Sequence, residues 1–279
     1  MKRKSQNITS KFWPALAIFL LLSIWQMANT TGLIAPYLLP SPIDVAKAFV
    51  SEFPLLMENA KVTLLEAFVG LSFGVLTGFF MAVIMDRFER LYQAFYPIVV
   101  LTQTVPTVAI APLLVLWFGY EMLPKVILIV LTTFFPITVS LLDGFRSADK
   151  DMINLMRSMG ATKQQIFYHV KFPGALNQFF ASLRISASYA VVGAVISEWL
   201  GGFSGLGVYM TRVKKAFSFD KMFAVIFLIS AISLALMWVV DILQKKCMPW
   251  EERKKYEKEN RIYIISNDDG IITCSLWYK

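Results

Sequence analysis

Long apolar stretches separated by short polar segments dominate the chain. A membrane helix needs about 20 mostly apolar residues, and six stretches come close to or exceed that length. They are residues 12–28, 64–85, 96–120, 126–142, 177–197 and 222–240. The ten-residue alternation typical of an outer-membrane barrel does not recur. The pattern therefore predicts an all-α, polytopic membrane protein with six transmembrane helices.

These spans divide the chain into an N-terminal segment (1–11), a six-helix transmembrane domain (12–246) and a tail (247–279). The first span could also be a cleaved signal peptide, but the bulky Trp25-Gln26-Met27 stands where small residues precede a cleavage site. We therefore expect an uncleaved helix. The tail alternates around a hairpin turn signal at Asp269-Gly270. It is either a contact for a partner or an extension without function.

Two spans carry internal signals. Gly70, Gly74 and Gly78 recur at every fourth position on one face of the second span, a pattern that favours close helix contact in a membrane. Pro97, Pro106 and Pro112 interrupt the third span. We expect this helix to be kinked or broken.

Composition and charge agree with a membrane protein. Charged residues make up 16% of the chain and the set AVILMFWYC 57%, whereas soluble domains contain about 25% charged residues. This excludes an ordinary soluble enzyme and a disordered chain. The net charge of +8 marks cytoplasmic loops and not a nucleic-acid partner. With the N-terminus inside, cytoplasmic segments hold 19 Lys and Arg and outer segments 7, so we expect both termini in the cytoplasm.

Few residues are suited to catalysis or metal binding. The chain has one histidine, His169, and two cysteines, Cys247 and Cys274, both near its C-terminus. These numbers exclude most histidine-based sites and a disulfide framework. No GxxxxGK[ST] phosphate loop occurs. We expect no catalytic residue and no cofactor or metal bound by this chain.

The polar segment between the fourth and fifth spans, residues 146–176, predicts two short helices joined at a glycine. Ser147, with acidic residues after it, suits the start of the first helix. An apolar stripe follows at helical spacing, formed by Met152, Leu155, Met156 and Met159.

Gly160 breaks that helix. Thr162 caps a second one, which carries Ile166, Phe167 and Val170 on one face and ends at Pro173. The hairpin is either an interfacial anchor or a docking element for a soluble partner, for which a methionine-rich face is well suited.

This loop resembles the cytoplasmic loop of the inner-membrane permeases of bacterial ABC importers. Their pattern is E-A-A, three residues, G, nine residues, I, any residue, L-P. Here Asn154-Leu155-Met156 precedes Gly160 by three residues, and Val170-Lys171-Phe172-Pro173 follows after nine. The leading triplet departs from E-A-A, while the glycine and proline match. The resemblance implies a coupling loop that contacts an ATPase through Asn154, Leu155, Met156, Met159, Gly160, Ile166, Val170 and Pro173.

Two further stretches resemble one branch of these permeases, which imports nitrate, taurine, alkanesulfonates or the pyrimidine precursor of thiamine. One is Glu198-Trp199-Leu200-Gly201-Gly202, followed by Gly205-Leu206-Gly207. The other is the proline-rich third span from Gln103 to Gly119. The first stretch is most like the pyrimidine group, so we expect a pyrimidine precursor among the substrates of this branch. Its glycines predict a flexible or re-entrant outer loop.

The resemblance implies the partners. A separate ATPase chain would bind ATP and Mg, and a separate extracytoplasmic solute-binding protein would deliver a small polar solute. The permease would work as a homodimer in the lipid bilayer of the inner membrane. An ion-gradient-driven secondary transporter is the alternative; it would have more midplane carboxylates or broken helices in two matching halves. A membrane-embedded enzyme is disfavoured by the single histidine and by the absence of paired midplane carboxylates.

Polar residues inside the spans are candidates for the translocation path, because polar side chains in a membrane prefer the bundle interior. Two charged candidates have alternatives. Arg184 either extends to the membrane surface or belongs to an inner gate, and Glu198 is either functional or reaches water at its helix end. We expect Glu66 at the membrane interface. The path candidates are Gln103, Thr104, Thr107, Trp117, Arg184, Ser197 and Glu198.

Overall fold

A computed structural model describes residues 3–31 and 38–249 of the chain, and these ranges are almost entirely helical. The helices are α1 (Arg3–Thr30), α2 (Pro42–Ser51), α3 (Phe53–Arg87), α4 (Glu89–Thr104), α5 (Thr107–Phe118), α6 (Met122–Arg146), α7 (Lys150–Ser158), α8 (Lys163–Ile166), α9 (Phe172–Gly201), α10 (Leu206–Lys215) and α11 (Phe219–Cys247). A π-helical segment, Phe167–Lys171, joins α8 to α9. The predicted tail from residue 250 onwards lies outside the described residues.

The all-α polytopic fold class is confirmed. Within the described ranges, five helical stretches are long and apolar enough to cross a membrane, and the bent pair α4 and α5 supplies a sixth. Five of the predicted spans lie within α1, α3, α6, α9 and α11, and the third, residues 96–120, covers parts of α4 and α5 and runs two residues past the end of α5. Most of these helices extend beyond the predicted apolar segments, because polar residues continue a helix outside the hydrocarbon.

Helices α3, α6 and α9 form the centre of the bundle. Glycines at every fourth position of α3 each face one residue of α6; the pairs are Gly70 with Ile129, Gly74 with Thr133, and Gly78 with Ile137. A Cβ added at Gly78 would lie 3.1 Å from Ile137 Cγ2, closer than ordinary packing. The glycine face predicted from the sequence is therefore the contact that brings these two helices together.

The third span is broken at Val105-Pro106, as its prolines predict. Helices α4 and α5 meet there at an angle of 97°. Val105 is extended, with φ −82° and ψ 123°, because a residue before proline is disfavoured in the helical region. Gly119, at φ 82°, then ends α5 and lets the chain turn into α6.

Helix α1 lies at the edge of the bundle, and no residue of its most apolar stretch is buried. Trp25 holds it there. The indole ring packs on Phe223 and Phe227 of α11, at centroid distances of 5.8 and 6.0 Å. Its N–H donates to the Pro40 carbonyl oxygen at 3.1 Å.

The segment after α9, for which the sequence predicted a flexible or re-entrant loop, instead contains the packed helix α10. Leu206, Tyr209, Met210 and Val213 of α10 are buried and belong to one apolar cluster with residues of α3 and α11, among them Leu56. The glycines mark the turn before this helix. The apolar residues that follow recur every three to four positions, which is the pattern of an amphipathic helix.

Candidate functional site

The first helix of the loop between the fourth and fifth spans, α7, is held by its own cap and by little else. Asp149 is the N-cap, its Oδ1 accepting from the Asp151 N–H at 2.8 Å. Ser147, which the sequence suggested as the start, instead closes α6 and donates its hydroxyl to the Gly144 carbonyl at 3.1 Å. Asp149 is better placed for capping, because its carboxylate reaches the free N–H groups two residues ahead.

The apolar stripe of α7 faces outwards. No side chain of this fully described helix is buried. Met152 is 49% exposed, Leu155 57% and Met159 75%. An amphipathic helix normally packs its apolar face against a core, so this surface lacks a partner within the described chain.

A tight turn joins the two loop helices. Gly160 adopts φ 80°, a conformation that glycine tolerates at no steric cost. The N–H of Ala161 donates to the Met156 carbonyl at 3.0 Å. Thr162 and Gln165 then form a reciprocal capping box at the start of α8. Asn154 and Gly160 are exposed, and Met156 is half-buried.

The sequence prediction that Pro173 ends the second helix is wrong. The helix runs from Lys163 to Gly201, with Pro173 in the first turn of α9. Proline disrupts a regular α-helix because it lacks an N–H and its ring meets the carbonyl four residues earlier. Here a π-helical turn, Phe167–Lys171, precedes it and widens the backbone. Ile166 is buried beside this turn and Val170 is half-buried.

The π segment is fixed to α3 and α6. Lys171 Nζ lies 2.7 and 2.9 Å from the two carboxylate oxygens of Asp86 at the C-terminal end of α3. The Phe167 ring packs on Phe145 of α6 at 5.1 Å, and Phe172 packs edge-on against Phe79 of α3 at 6.1 Å. The loop therefore has a free outer part and an anchored base.

A cavity of about 360 Å³ opens where α4, α5, α6 and α9 meet. Gln103 and Thr107, two of the predicted path residues, line it. Among the described residues around the cavity, none carries a charge. The lining residues are Thr102, Gln103, Val105, Thr107, Ile110, Leu131, Thr132, Tyr189, Val192, Gly193 and Ile196.

Other predicted path residues do not line this cavity. Thr104 is exposed and donates its hydroxyl to the Leu101 carbonyl at 2.8 Å. Trp117 is 66% exposed on the surface of α5. Ser197 is 2% exposed, and its hydroxyl donates to the Ala194 carbonyl at 2.7 Å within its own helix.

Glu198 stabilises the start of α10. The side chain is 1% exposed and so does not reach water. Its Oε2 accepts from the Gly207 N–H at 2.6 Å, and its Oε1 accepts from the Thr63 hydroxyl at 2.7 Å. Thr63 Oγ1 in turn accepts from the Leu206 N–H at 2.9 Å. Because Gly205 at the N-cap has no side chain, a carboxylate from α9 and a hydroxyl from α3 satisfy the free N–H groups of α10.

The sequence suggested that Glu66 lies at the membrane interface, but the structure buries it among the helices. It is 4% exposed and lies 2.5 Å from Lys125 Nζ of α6, itself 5% exposed. Burial of Glu66 becomes tolerable because Lys125 supplies the opposite charge from a different helix.

Arg184 is bound to a neighbouring helix. Its guanidinium lies 3.0 Å from Asp241 Oδ1 and donates to Gln244 Oε1 at 3.0 Å, both on α11. The side chain is 34% exposed. It therefore links α9 to α11 and does not simply extend to the membrane surface.

Sequence reasoning missed several residues around these sites. Tyr189 and Thr132 line the cavity, but no sequence motif includes them. They come close to each other only because α6 and α9 pack together. Lys171 and Asp86 are 85 residues apart in the chain. A lysine inside an otherwise apolar motif was the one signal that could have pointed to this pair.

Comparison with known proteins adds to this geometry. Residues 74–248 match the family described as binding-protein-dependent transport system inner membrane component. The chain is 37% identical over 256 residues to the formylaminopyrimidine transport permease protein ThiX of Halalkalibacterium halodurans, covering 91% of this chain and 100% of that one. It is 30% identical over 245 residues to the riboflavin transport system permease protein RibX of Chloroflexus aurantiacus, covering 86% and 91%.

Among solved structures, an inward-facing MetNI methionine ABC transporter superposes with a TM-score of 0.62 at 19% identity. The match covers 70% of this chain and 97% of that one. At this identity the likeness concerns the fold.

Proposed function

This chain belongs to the family of binding-protein-dependent transport system inner membrane components, the permeases of ABC importers, and on that premise we propose that two copies form a path for a small, uncharged heteroaromatic solute. The two copies would alternate between inward- and outward-facing states. ATP and Mg would bind to a separate ATPase chain, and a solute-binding protein would deliver the solute from outside.

The exposed apolar stripe of α7 carries this proposal. The stripe has no partner in the described chain, and its outermost member, Met159, is 75% exposed. A docking ATPase would cover it, and the methionines would let the contact adapt as the ATPase changes shape. The loop residues from Asn154 to Gly160 would form this contact, while Ile166, Val170 and Pro173 would form its base.

The ATPase assay is the direct test. Purified in detergent, the chain alone should neither bind nor hydrolyse ATP. Adding the cognate ATPase should produce hydrolysis, which loaded solute-binding protein should raise further. ATP turnover by the isolated, contaminant-free chain would contradict the proposal. Uptake driven by an ion gradient without the ATPase would favour a secondary transporter instead.

The uncharged cavity supports a neutral solute over an anion. A nitrate or sulfonate without a compensating cation loses much of its hydration energy in an apolar site. The hydroxyls of Thr102 and Thr132 already donate to the Val99 and Ile129 carbonyls, at 2.6 and 2.8 Å. Their oxygens remain free to accept hydrogen bonds, which suits a solute bearing N–H groups.

An aromatic ring adds a further preference. Tyr189 is 48% exposed beside these hydroxyls and offers a flat face to a heteroaromatic ring. Gln103 can both donate and accept, so it suits a ring with nitrogen acceptors and amino donors. These features favour the pyrimidine precursor of thiamine over a sulfonate, in agreement with the substrate that the name of the relative ThiX gives for that protein.

Growth complementation tests the substrate. Cells lacking their own uptake systems receive this chain with its ATPase and binding protein. We expect growth on formylaminopyrimidine as the thiamine precursor and no growth on taurine as sole sulfur source. Growth on taurine without growth on formylaminopyrimidine would contradict the pyrimidine as substrate, but it would agree with an importer.

A further inference from the structure

The base of the coupling loop contains a rare backbone element. At Phe167–Lys171 the helix adopts π geometry, and the Phe172 N–H donates to the Phe167 carbonyl five residues earlier. Such single-turn π segments are uncommon in α-helices and occur often at functional sites. This one lies where the exposed loop enters the membrane helix α9.

One ion pair fixes this element to the bundle. The Lys171 ammonium contacts both oxygens of Asp86 on α3, at 2.7 and 2.9 Å. The side chains are 25% and 10% exposed, respectively. Charge-assisted bonds of this length are roughly twice as strong as bonds between neutral groups, so the pair holds the π segment close to α3.

The ion pair lies on the route from the loop to the path. Helix α7 buries no side chain, so a displacement of α7 reaches the bundle mainly through its two ends, which are α6 on one side and α8 with the π segment on the other. Lys171 connects the second of these to α3. Helix α3 in turn packs along α6 through its glycine face, and α6 contributes Thr132 to the cavity.

We propose that Lys171 and Asp86 are a positioning pair that transmits the movement of the coupling loop to α3, and so links ATP hydrolysis to solute movement. This inference rests on the proposed function, because it assumes that an ATPase docks on α7. The pair contacts neither solute nor ATPase. Its role is to make α3 move with the loop. Without the pair, the π segment would deform and α3 would stay in place.

A matched control exists at the end of α6. Arg146 and Glu89 form an ion pair of similar length, 2.9 Å, but their side chains are 38% and 64% exposed. An exposed pair contributes little because solvent screens it. Reversing the charge of Arg146 removes this pair and the stacking of Arg146 on the Tyr92 ring at 3.5 Å, and it leaves the ion pair of the π segment in place.

The experiment uses the complete transporter in proteoliposomes, built from this chain, its ATPase and its binding protein. ATP hydrolysis and import are measured in the same sample, with radiolabelled formylaminopyrimidine, or with taurine if complementation selects it. The variants are Lys171→Asp, Asp86→Lys, the double exchange of both, and Arg146→Glu. Lys171→Gln and Asp86→Asn serve as milder variants if a reversal fails to accumulate.

We expect each single reversal to keep the ATPase bound but to lower the solute imported per ATP hydrolysed by about 5-fold or more, the usual lower range of coupling between sites. The double exchange should restore most of this ratio, and Arg146→Glu should leave it near that of the unaltered chain. A purely structural pair would lower the amount of protein and not the ratio.

Three results would overturn the inference: an unchanged ratio in the single reversals or their milder replacements, no recovery in a double exchange that accumulates normally, or an equal loss in Arg146→Glu. Failure of the proposed function looks different. The unaltered chain would then show no ATP-dependent import of either solute, and the inference would fall with it.

Discussion

Glu198 shows at the scale of one residue how a buried charge is used in this bundle. Its carboxylate takes the place of an N-cap side chain for α10, from a different helix. Gly205 leaves the space for it. This glycine adopts φ 121° and ψ 166°, a region essentially restricted to glycine, and an added Cβ would overlap the Glu198 carboxylate.

Gly205→Ala should therefore destabilise the protein. Backbone strain of this kind costs about 1–3 kcal/mol, which corresponds to a fall of roughly 2–10 °C in melting temperature for a chain of this size. Thermal unfolding in detergent measures it. The control is Gly174→Ala in the first turn of α9, where an added Cβ meets nothing within 4 Å. The control should be neutral or slightly stabilising; equal losses in both variants would contradict the explanation.

At the scale of the element, α7 is stable enough to form and yet buries nothing. Capping by Asp149 and the turn at Gly160 define its two ends. Its apolar stripe therefore contributes little to folding and is free to serve a partner.

Leu155→Asp should weaken binding of the ATPase without harming the fold. Leu155 is 57% exposed in the free chain. Burying a leucine in an interface contributes about 1.5–3 kcal/mol, so losing it and adding a charge should lower the affinity about tenfold or more. Ser158→Asp adds the same charge one turn further along, beside the stripe and without removing an apolar side chain, and should have the smaller effect. Titration of the labelled ATPase onto nanodiscs measures both; equal affinities would exclude the stripe as the contact.

At the scale of the whole molecule, the distribution of charge orients the chain. One of the seven cations counted outside, Lys125, lies buried in α6 and pairs with Glu66, so it carries no weight for orientation. Another, Lys221, pairs with Glu52 where α11 begins and α2 ends. Leaving Lys125 out of the count increases the excess of Lys and Arg in the predicted cytoplasmic segments over the outer ones.

Both termini should therefore lie in the cytoplasm. A reporter active only there should work when fused after Lys279 and fail when fused after Glu52, because α1 alone precedes that site as a membrane span. A cytoplasmic β-galactosidase fusion and a periplasmic alkaline phosphatase fusion at each position give opposite readouts. Phosphatase activity after Lys279 would contradict this orientation.

The sequence by itself determined the six spans, the interruption of the third span by its prolines and the glycine face of α3. These depend on local properties: hydropathy over about 20 residues, a missing N–H and a missing Cβ. The cap-and-glycine pattern likewise located the exposed loop around Gly160. Each of these signals lies within one segment and needs no knowledge of its neighbours.

Only the tertiary structure decided the partners of the charged residues. Glu66 with Lys125 and Lys171 with Asp86 are 59 and 85 residues apart in the chain. Whether a carboxylate in a membrane helix reaches water or a counter-charge depends on which helices pack beside it. The same holds for Pro173, where a π turn absorbed a residue that would otherwise end a helix, because contacts with α3 and α6 hold the wider turn in place.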